Sequence, residues 1–219
     1  GATAPATRTR TMKAVVKAVA GPGAEIRDVP VPVAGTGEIL LRVLRAGVCG
    51  TDLHIWNWDG WSRGRIKPPV TIGHEFVGEV IELGSSVTNV RLGDFVSCES
   101  HVVCNTCLSC RTGNGHVCEH TRILGVDING GFAEFVAVPA VNAWHIPAGV
   151  PLEVAAVMEP CGNAVHTAFA GPLSGCNIAV TGCGPIGLFA IGVARAAGAA
   201  RVFASDVSPY RLDLAKKMR

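Results

Sequence analysis

The 219-residue sequence has no strong excess of charge of either sign, and this absence excludes classes of protein that bind their partners mainly through charge. Lysine and arginine number 19 and aspartate and glutamate 17, which gives a formal net charge of +2. The basic residues form no blocks, so the sequence offers no electrostatic basis for binding nucleic acid or a membrane surface. We therefore expect the protein to bind neither nucleic acid nor a membrane. The sequence also lacks internal repeats.

Long apolar runs are also absent. The longest, Ile186–Ala194, contains two glycines and is far too short to span a bilayer. Residues 1–11 are small, polar and arginine-containing, without the apolar core of a secretory signal, so we interpret them as a disordered tail, with a transit peptide as the alternative. Nine cysteines without such a signal favour a reducing, cytoplasmic setting and metal ligation over disulfides.

The first two-thirds of the sequence is predicted to be rich in β-strand. Short β-branched runs are separated by turns that contain glycine and proline, which predicts a partly open barrel or a sandwich. The predicted strands are Met12–Ala20, Ala24–Val29, Glu38–Ala46, Val77–Leu83, Asp94–Cys98, Phe132–Val138 and Ala143–Ile146.

The pattern changes near Pro151 to an alternation of helices and strands, which indicates the start of a parallel α/β sheet. The predicted helices are Leu152–Met158, Gly162–Ala170, Pro185–Ala197 and Pro209–Met218, and the strands are Asn177–Thr181 and Arg201–Ser205. Two parallel strands do not complete a sheet of this kind. We therefore expect the N-terminal portion of a longer protein, one that would not turn over substrate by itself.

Four cysteines within fifteen residues form the most distinctive motif, C-x2-C-x2-C-x7-C; they are Cys104, Cys107, Cys110 and Cys118. This spacing suits a structural zinc ion in a lobe that spans residues 99–120. An iron–sulfur motif would place the fourth cysteine nearer and follow it with proline, whereas Glu119 follows here. Two disulfides or four unrelated thiols remain as alternatives. Four thiolates leave no open position on a metal, so the chemistry must lie elsewhere.

A glycine motif follows an apolar strand and opens a predicted helix. Gly182 permits a tight turn, Gly184 lets the backbone approach a pyrophosphate, and Gly187 lets helix and strand pack closely. Asp206 ends the next strand, where a carboxylate would accept a ribose hydroxyl and repel a 2′-phosphate. This predicts NAD rather than NADP, although Arg211 could neutralise a phosphate. A glycine-rich turn made only for packing is the alternative.

A second candidate metal site is sparser. Cys49 follows one predicted strand and His74 precedes another, 25 positions later. Thiol and imidazole are good zinc ligands, and Glu75 and Glu159 are candidates for a carboxylate ligand. Taken alone, such a widely spaced pair is better interpreted as a buried thiol and a core histidine.

Several motifs together resemble the zinc-dependent medium-chain dehydrogenases, and the resemblance covers Met12 to Arg219. They are the Cys49-Gly50-Thr51-Asp52-x-His54 stretch, Gly73-His74-Glu75, the four-cysteine lobe and the glycine motif. The resemblance implies a GroES-like, partly open β-barrel catalytic domain over residues 12–155. The start of a Rossmann NAD-binding domain over residues 156–219 would follow it.

The resemblance also implies roles for individual residues. Cys49, His74 and Glu75 match the positions of a catalytic zinc, and Glu159 matches an acidic residue that ligates the metal or tunes it. Thr51 and His54 match a proton relay. The positions that match NAD contacts are Ile186, Asp206 and Arg211. The resemblance also implies two zinc ions per chain and NAD as cofactors. It further implies a homo-oligomer, which in this family is a tetramer.

Three segments narrow the resemblance to the branch that acts on threonine; they are Trp58–Trp61, Gly73–Val80 and Glu159–Thr167. Polyol and butanediol dehydrogenases share the metal site but usually lack the Gly162-Asn163-Ala164-Val165 stretch. Typical alcohol dehydrogenases carry a cysteine where this sequence has Glu159. This difference disfavours alcohol dehydrogenases proper and favours the branch that acts on polyols and threonine. We expect oxidation of the threonine hydroxyl, with a polyol or 2,3-butanediol as the alternative substrate. A non-enzymatic alternative is a zinc-stabilised binding module that keeps the fold but has no catalytic turnover.

Overall fold

The computed structural model describes residues 10–218, which form two compact units that divide after Val157. The predicted tail, residues 1–11, lies outside the described residues except for its last two, and Thr11 already begins a strand. Among residues 10–218, no helix has the length and apolar character needed to cross a membrane.

The first unit is built mainly from short strands. Its elements are β1 (Thr11–Lys17), β2 (Glu25–Pro30), β3 (Glu38–Gly47), α1 (Gly50–Asn57), α2 (Gly60–Arg65), β4 (Val70–Thr71), β5 (Glu75–Leu83), β6 (Phe95–Cys98), β7 (His101–Val102), α3 (Leu108–Arg111), β8 (Arg122–Ile123), β9 (Phe135–Pro139), β10 (Ala143–His145) and α4 (Leu152–Ala155).

The strands form antiparallel sheets around an apolar core. One sheet has the order β2-β1-β4, a larger one has the order β10-β6-β5-β3-β9, and β7 and β8 form a separate two-stranded antiparallel sheet. Along β1 the buried residues alternate with exposed ones, as a strand with one face on the core requires. The main core cluster includes Ile39, Leu41, Phe76 and Val96, all at most 1% exposed.

A second core cluster fixes the segment between β3 and β5. Ile55 of α1 is fully buried and packs with Ile66, Val70 and Ile72, and Trp58 packs against this cluster. The side chain of Lys17 is also fully buried, and its Nζ donates a hydrogen bond of 2.7 Å to the carbonyl of Gly23.

The second unit is α/β in character. Its elements are α5 (Met158–Ala168), β11 (Asn177–Thr181), α6 (Pro185–Ala196), β12 (Arg201–Ser205) and α7 (Pro209–Lys217). The strands β11 and β12 are parallel, with Asn177 opposite Arg201 and Thr181 opposite Ser205. The prediction of a β-rich part followed by α/β alternation is therefore confirmed.

Several element boundaries differ from the predictions. The first strand ends at Lys17 rather than Ala20, because the Lys17 side chain folds back onto the following loop. The helix predicted to begin at Gly162 begins at Met158, because Pro160 falls in its first turn, where a missing N–H costs little. The helix predicted before it, Leu152–Met158, ends at Ala155. Phe132 lies outside β9 and bonds to Val15 and Ile72 instead.

Candidate metal centres and nucleotide-binding turn

The pairing of β3 with β5 brings Cys49, His74 and Glu75 together. Gly47 lies opposite Glu75 in this antiparallel pair, so the end of one strand meets the start of the other. One ligand atom from each of the three side chains lies within 4.8 Å of the others. His74 and Glu75 are each 6% exposed, and Cys49 is half-buried.

The surroundings of Cys49 favour its thiolate. A hydrogen bond with His74 is the main cause that lowers the pKa of Cys49, partly opposed by burial and aided by Thr51. The Thr51 hydroxyl oxygen lies 3.7 Å from the Cys49 sulfur. A thiolate, an imidazole and a carboxylate in one pocket are a donor set that zinc binds well. The residues present thus fit a zinc ion.

Asp52 supports this cluster, although no role was predicted for it from the sequence. Its Oδ2 accepts a hydrogen bond of 2.9 Å from the Cys49 N–H, and its Oδ1 lies 3.9 Å from His74 Nδ1. The side chain is 4% exposed, and burial raises its pKa, opposed by the Cys49 N–H and by His74. One sequence signal could have identified it. Asp52 is the third residue after Cys49, the N-cap of α1, and an acidic side chain at this position commonly accepts a hydrogen bond from the N-cap backbone N–H.

Four glycines hold the backbone that carries His74. Gly73 has a φ of +93°, which favours glycine. A Cβ added there would overlap the Phe132 ring, and Cβ atoms on Gly125 or Gly130 would overlap the main chain of Gly73. A Cβ on Gly131 would overlap the Phe76 ring. Main chain therefore packs directly on main chain beneath His74 and Glu75.

The predicted relay residues lie on α1 of the first unit, and Glu159 lies on α5 of the second unit. Thr51 is half-buried beside Cys49, whereas the His54 side chain is 60% exposed one turn later. Glu159 belongs to the second unit, in the first turn of α5, where its Oε2 accepts a hydrogen bond of 3.3 Å from Asn163. Its part in the metal centre stays a prediction.

The four cysteines of the lobe converge on one point. Their sulfur atoms lie 3.6 Å apart between Cys118 and Cys104, 3.9 Å between Cys107 and Cys118, and 4.0 Å between Cys104 and Cys110. A tetrahedron with Zn–S bonds of about 2.3 Å has sulfur–sulfur edges of about 3.8 Å. A disulfide would require about 2.05 Å. The distances fit a tetrathiolate zinc ion and not two disulfides.

Backbone N–H groups point at these sulfur atoms. Cys104 accepts from the N–H of Thr106 at 3.5 Å and of Cys107 at 3.3 Å, and Cys118 accepts from the N–H of Cys104 and His120. Hydrogen bonds from Thr106 and then Cys107 lower the pKa of Cys104 to about 5. Burial, followed by hydrogen bonds with Cys118 and Cys107, raises the pKa of Cys110 to about 12. The Cys110 thiol would therefore ionise at neutral pH only beside a cation.

The glycine motif forms a tight turn between β11 and α6. Gly182 has a φ of +92°, and a Cβ on Gly187 would overlap the Gly182 carbonyl, so both positions require glycine. A Cβ on Gly184 would meet no atom within 4 Å, so this side of the turn is open to a ligand at the start of α6. Backbone N–H groups at such a helix start suit a phosphate. Ile186, in the same first turn, is 47% exposed.

Asp206 closes the other side of this turn. Its carboxylate accepts hydrogen bonds from the N–H of Cys183 at 2.7 Å and of Ser208 at 2.8 Å. These two bonds, with a smaller contribution from Arg211, lower the pKa of Asp206. The Arg211 Nη1 lies 3.8 Å from Asp206 Oδ2. An ionised carboxylate thus lies beside the turn, as a preference for NAD over NADP would require.

Residues 35–148, just over half of the chain, match the alcohol dehydrogenase GroES-like domain, and the chain belongs to this family. An L-threonine 3-dehydrogenase from Bacillus licheniformis is 53% identical over 207 residues, which are 94% of this chain and 60% of that protein. The chain thus spans about three-fifths of the length of such relatives. The GroES-like assignment made from the sequence is confirmed.

Solved structures agree on the fold. A structure titled as a short chain alcohol dehydrogenase from Escherichia coli CFT073, complexed with NADH, has a TM-score of 0.86 and 34% identity, over 95% of this chain and 60% of that one. The 2R,3R-butanediol dehydrogenase from Bacillus subtilis has a TM-score of 0.81 and 31% identity, over 94% of this chain and 61% of that one.

Proposed function

We propose that the protein carrying this chain is a zinc- and NAD-dependent dehydrogenase that oxidises the secondary hydroxyl of L-threonine to 2-amino-3-ketobutyrate. The observation that carries the proposal is the cluster of Cys49, His74 and Glu75, assembled in a chain that is 53% identical to an L-threonine 3-dehydrogenase. The thiol, imidazole and carboxylate belong to the ligand types of catalytic zinc sites that keep one position open.

Each metal would have a distinct set of ligands. Cys49 and His74, with Glu75 or Glu159, would hold the catalytic zinc, which when bound supplies a Lewis acid that makes an alcohol proton more acidic. The second zinc would be held by the four cysteines of the lobe, whose closed shell makes it structural. One thiolate and one carboxylate bring two negative charges to the catalytic ion and leave that centre near neutrality.

The remaining residues would manage the proton and the cofactor. Thr51 and His54 lie one helical turn apart on α1 and can pass a proton from the half-buried Cys49 environment toward solvent. The turn at Gly182–Gly187 would bind the pyrophosphate of NAD, and Asp206 would accept a ribose hydroxyl. Ile186 and Arg211 would contact the same cofactor.

Oxidation of 2,3-butanediol or of a polyol is the second candidate function, because the chain shares its fold with a butanediol dehydrogenase. The identity to that protein, 31%, is well below the 53% to the threonine enzyme. This difference favours threonine.

The test uses the full-length protein loaded with zinc. NADH formation is measured with L-threonine, 2,3-butanediol and sorbitol, with NAD or NADP as acceptor, together with the zinc content and the mass of the assembly. We expect the highest kcat/KM with L-threonine and NAD, two zinc ions per chain and a tetramer in the cytoplasmic fraction. A higher kcat/KM for a diol would favour the second candidate, and one zinc per chain without turnover would favour a binding module.

Asp206→Asn is expected to weaken the preference for NAD. The amide keeps an oxygen for one backbone N–H but loses the charge that repels a 2′-phosphate. We expect the ratio of kcat/KM for NAD to that for NADP to fall by about 100-fold, since opposing like charges cost several kcal/mol at such contacts. Asp213→Asn, which changes an exposed carboxylate of α7 paired with Lys216, is the matched control. An unchanged ratio would refute the role of Asp206.

A further inference from the structure

The loop after α1 brings a carboxylate to the predicted relay histidine. Asp59 precedes α2 and accepts a hydrogen bond of 3.0 Å from the Ser62 N–H through its Oδ1. Its other oxygen, Oδ2, lies 2.5 Å from His54 Nδ1. The two carboxylate oxygens therefore have separate partners, one that caps a helix and one that contacts the imidazole.

The imidazole itself is held from other directions. The Ser62 hydroxyl donates a hydrogen bond of 2.6 Å to the His54 carbonyl, which links α1 to α2. The ring of Trp61 lies 6.1 Å from the His54 ring, edge to face. Ile55, next to His54, is fully buried in the second core cluster. The exposed imidazole thus sits on a fixed piece of backbone.

The contact with Asp59 selects which ring nitrogen carries the proton. An ionised carboxylate only accepts hydrogen bonds, so Nδ1 of a neutral His54 must be the donor and Nε2 must hold the free lone pair. The Asp59 carboxyl stays ionised, because the Ser62 N–H and, next, the His54 ring lower its pKa.

We propose that Asp59 is a positioning residue that fixes His54 as the Nδ1–H tautomer and so makes Nε2 the atom that takes the proton from the Thr51 side of α1. This inference rests on the proposed function. The proton is bound at Nε2 to give an imidazolium, whose charge Asp59 stabilises, and is then released from Nε2 to water. The histidine returns to its starting tautomer, so no proton is gained or lost.

The test is Asp59→Asn in the full-length, zinc-loaded protein. Because the Ser62 N–H needs an acceptor, the amide oxygen takes that place and the amide NH₂ faces His54 Nδ1. Nδ1 must then accept, which moves the ring proton to Nε2. With ¹⁵N-labelled histidine, we expect the protonated and unprotonated nitrogen signals of neutral His54 to exchange positions between the two proteins.

The kinetic expectation is specific to a relay. Losing a positioned proton acceptor is expected to lower kcat by about 100-fold, whereas KM for substrate and for NAD should change by less than about 3-fold, because Asp59 is proposed to act only through His54. Asp59→Ser, which keeps a capping oxygen but cannot reach His54, is expected to give mixed tautomers and an intermediate kcat. Asp28→Asn, an exposed carboxylate of β2, is the neutral control.

The outcomes separate this proposal from the proposed function. A wild-type His54 protonated at Nε2, an unchanged tautomer in Asp59→Asn, or wild-type kcat in that variant would each overturn the role of Asp59. Should the wild-type protein oxidise another alcohol, kcat is measured with that alcohol; should it oxidise none, the tautomer decides alone. In both cases the proposed function fails while the role of Asp59 is still tested.

Discussion

Replacing Cys49 by serine is expected to remove one zinc ion per chain and to lower threonine oxidation by at least about 10³-fold, because the reaction depends on the metal's electrostatic stabilisation. A serine hydroxyl ionises far less readily than a thiol whose pKa His74 already lowers. The measurements are zinc content by mass spectrometry and kcat/KM for L-threonine in the full-length protein.

The control for this variant is Cys176→Ser, which changes a half-buried cysteine outside both candidate metal clusters. It should keep two zinc ions and near wild-type activity. If Cys49→Ser kept both zinc ions and a tenth or more of the activity, the catalytic centre would have to lie elsewhere.

Cys118→Ser is expected to remove the other zinc ion and to disorder the lobe while the barrel remains folded. Between Val103 and His120, Cys118 alone is buried, and Leu108 and Val117 are 74% and 58% exposed. The lobe thus has almost no apolar core, so a bound zinc ion, with apparent binding energies of about 10 kcal/mol or more in small domains, would supply most of its stability.

Hydrogen exchange and limited proteolysis of the full-length protein measure this effect. In Cys118→Ser we expect proteolytic cleavage and fast hydrogen exchange within residues 103–120. The protection of β3 and β5 from hydrogen exchange should stay as in the wild-type protein. Cys176→Ser serves again as the control and should leave the lobe protected. A lobe that stayed protected after losing its zinc would show that protein contacts alone maintain it.

The contrast between the two candidate metal centres shows what a sequence reveals of such sites. The four cysteines lie within fifteen residues, so local spacing alone predicts that their sulfur atoms can meet. Cys49 and His74 meet only because Gly47 pairs with Glu75 between β3 and β5. Pairing registers between strands depend on the whole fold, and the sequence supported this site only through a family resemblance.

Local elements were predicted unevenly, for physical reasons. The strands β11 and β12 were predicted with their observed bounds, because each is a compact apolar run flanked by turns. The helices α1 and α2 were not predicted, since each is shorter than nine residues and has little apolar periodicity. Asp52 and Asp59 lie within quoted motifs but received no role, because their contacts with His74 and His54 depend on how the chain folds around them.

The glycines beneath His74 also bear on how this protein could be redesigned. A Cβ on Gly125 or Gly130 would displace the main chain of Gly73, and a Cβ on Gly73 itself, whose backbone conformation favours glycine, would displace the Phe132 ring. These glycines are therefore poor targets for stepwise engineering, because even a substitution by alanine would shift the backbone or the ring that packs beneath His74. Libraries that seek a new alcohol specificity should leave these glycines fixed and vary the exposed surface around Trp56 and Trp61, where substitutions meet solvent.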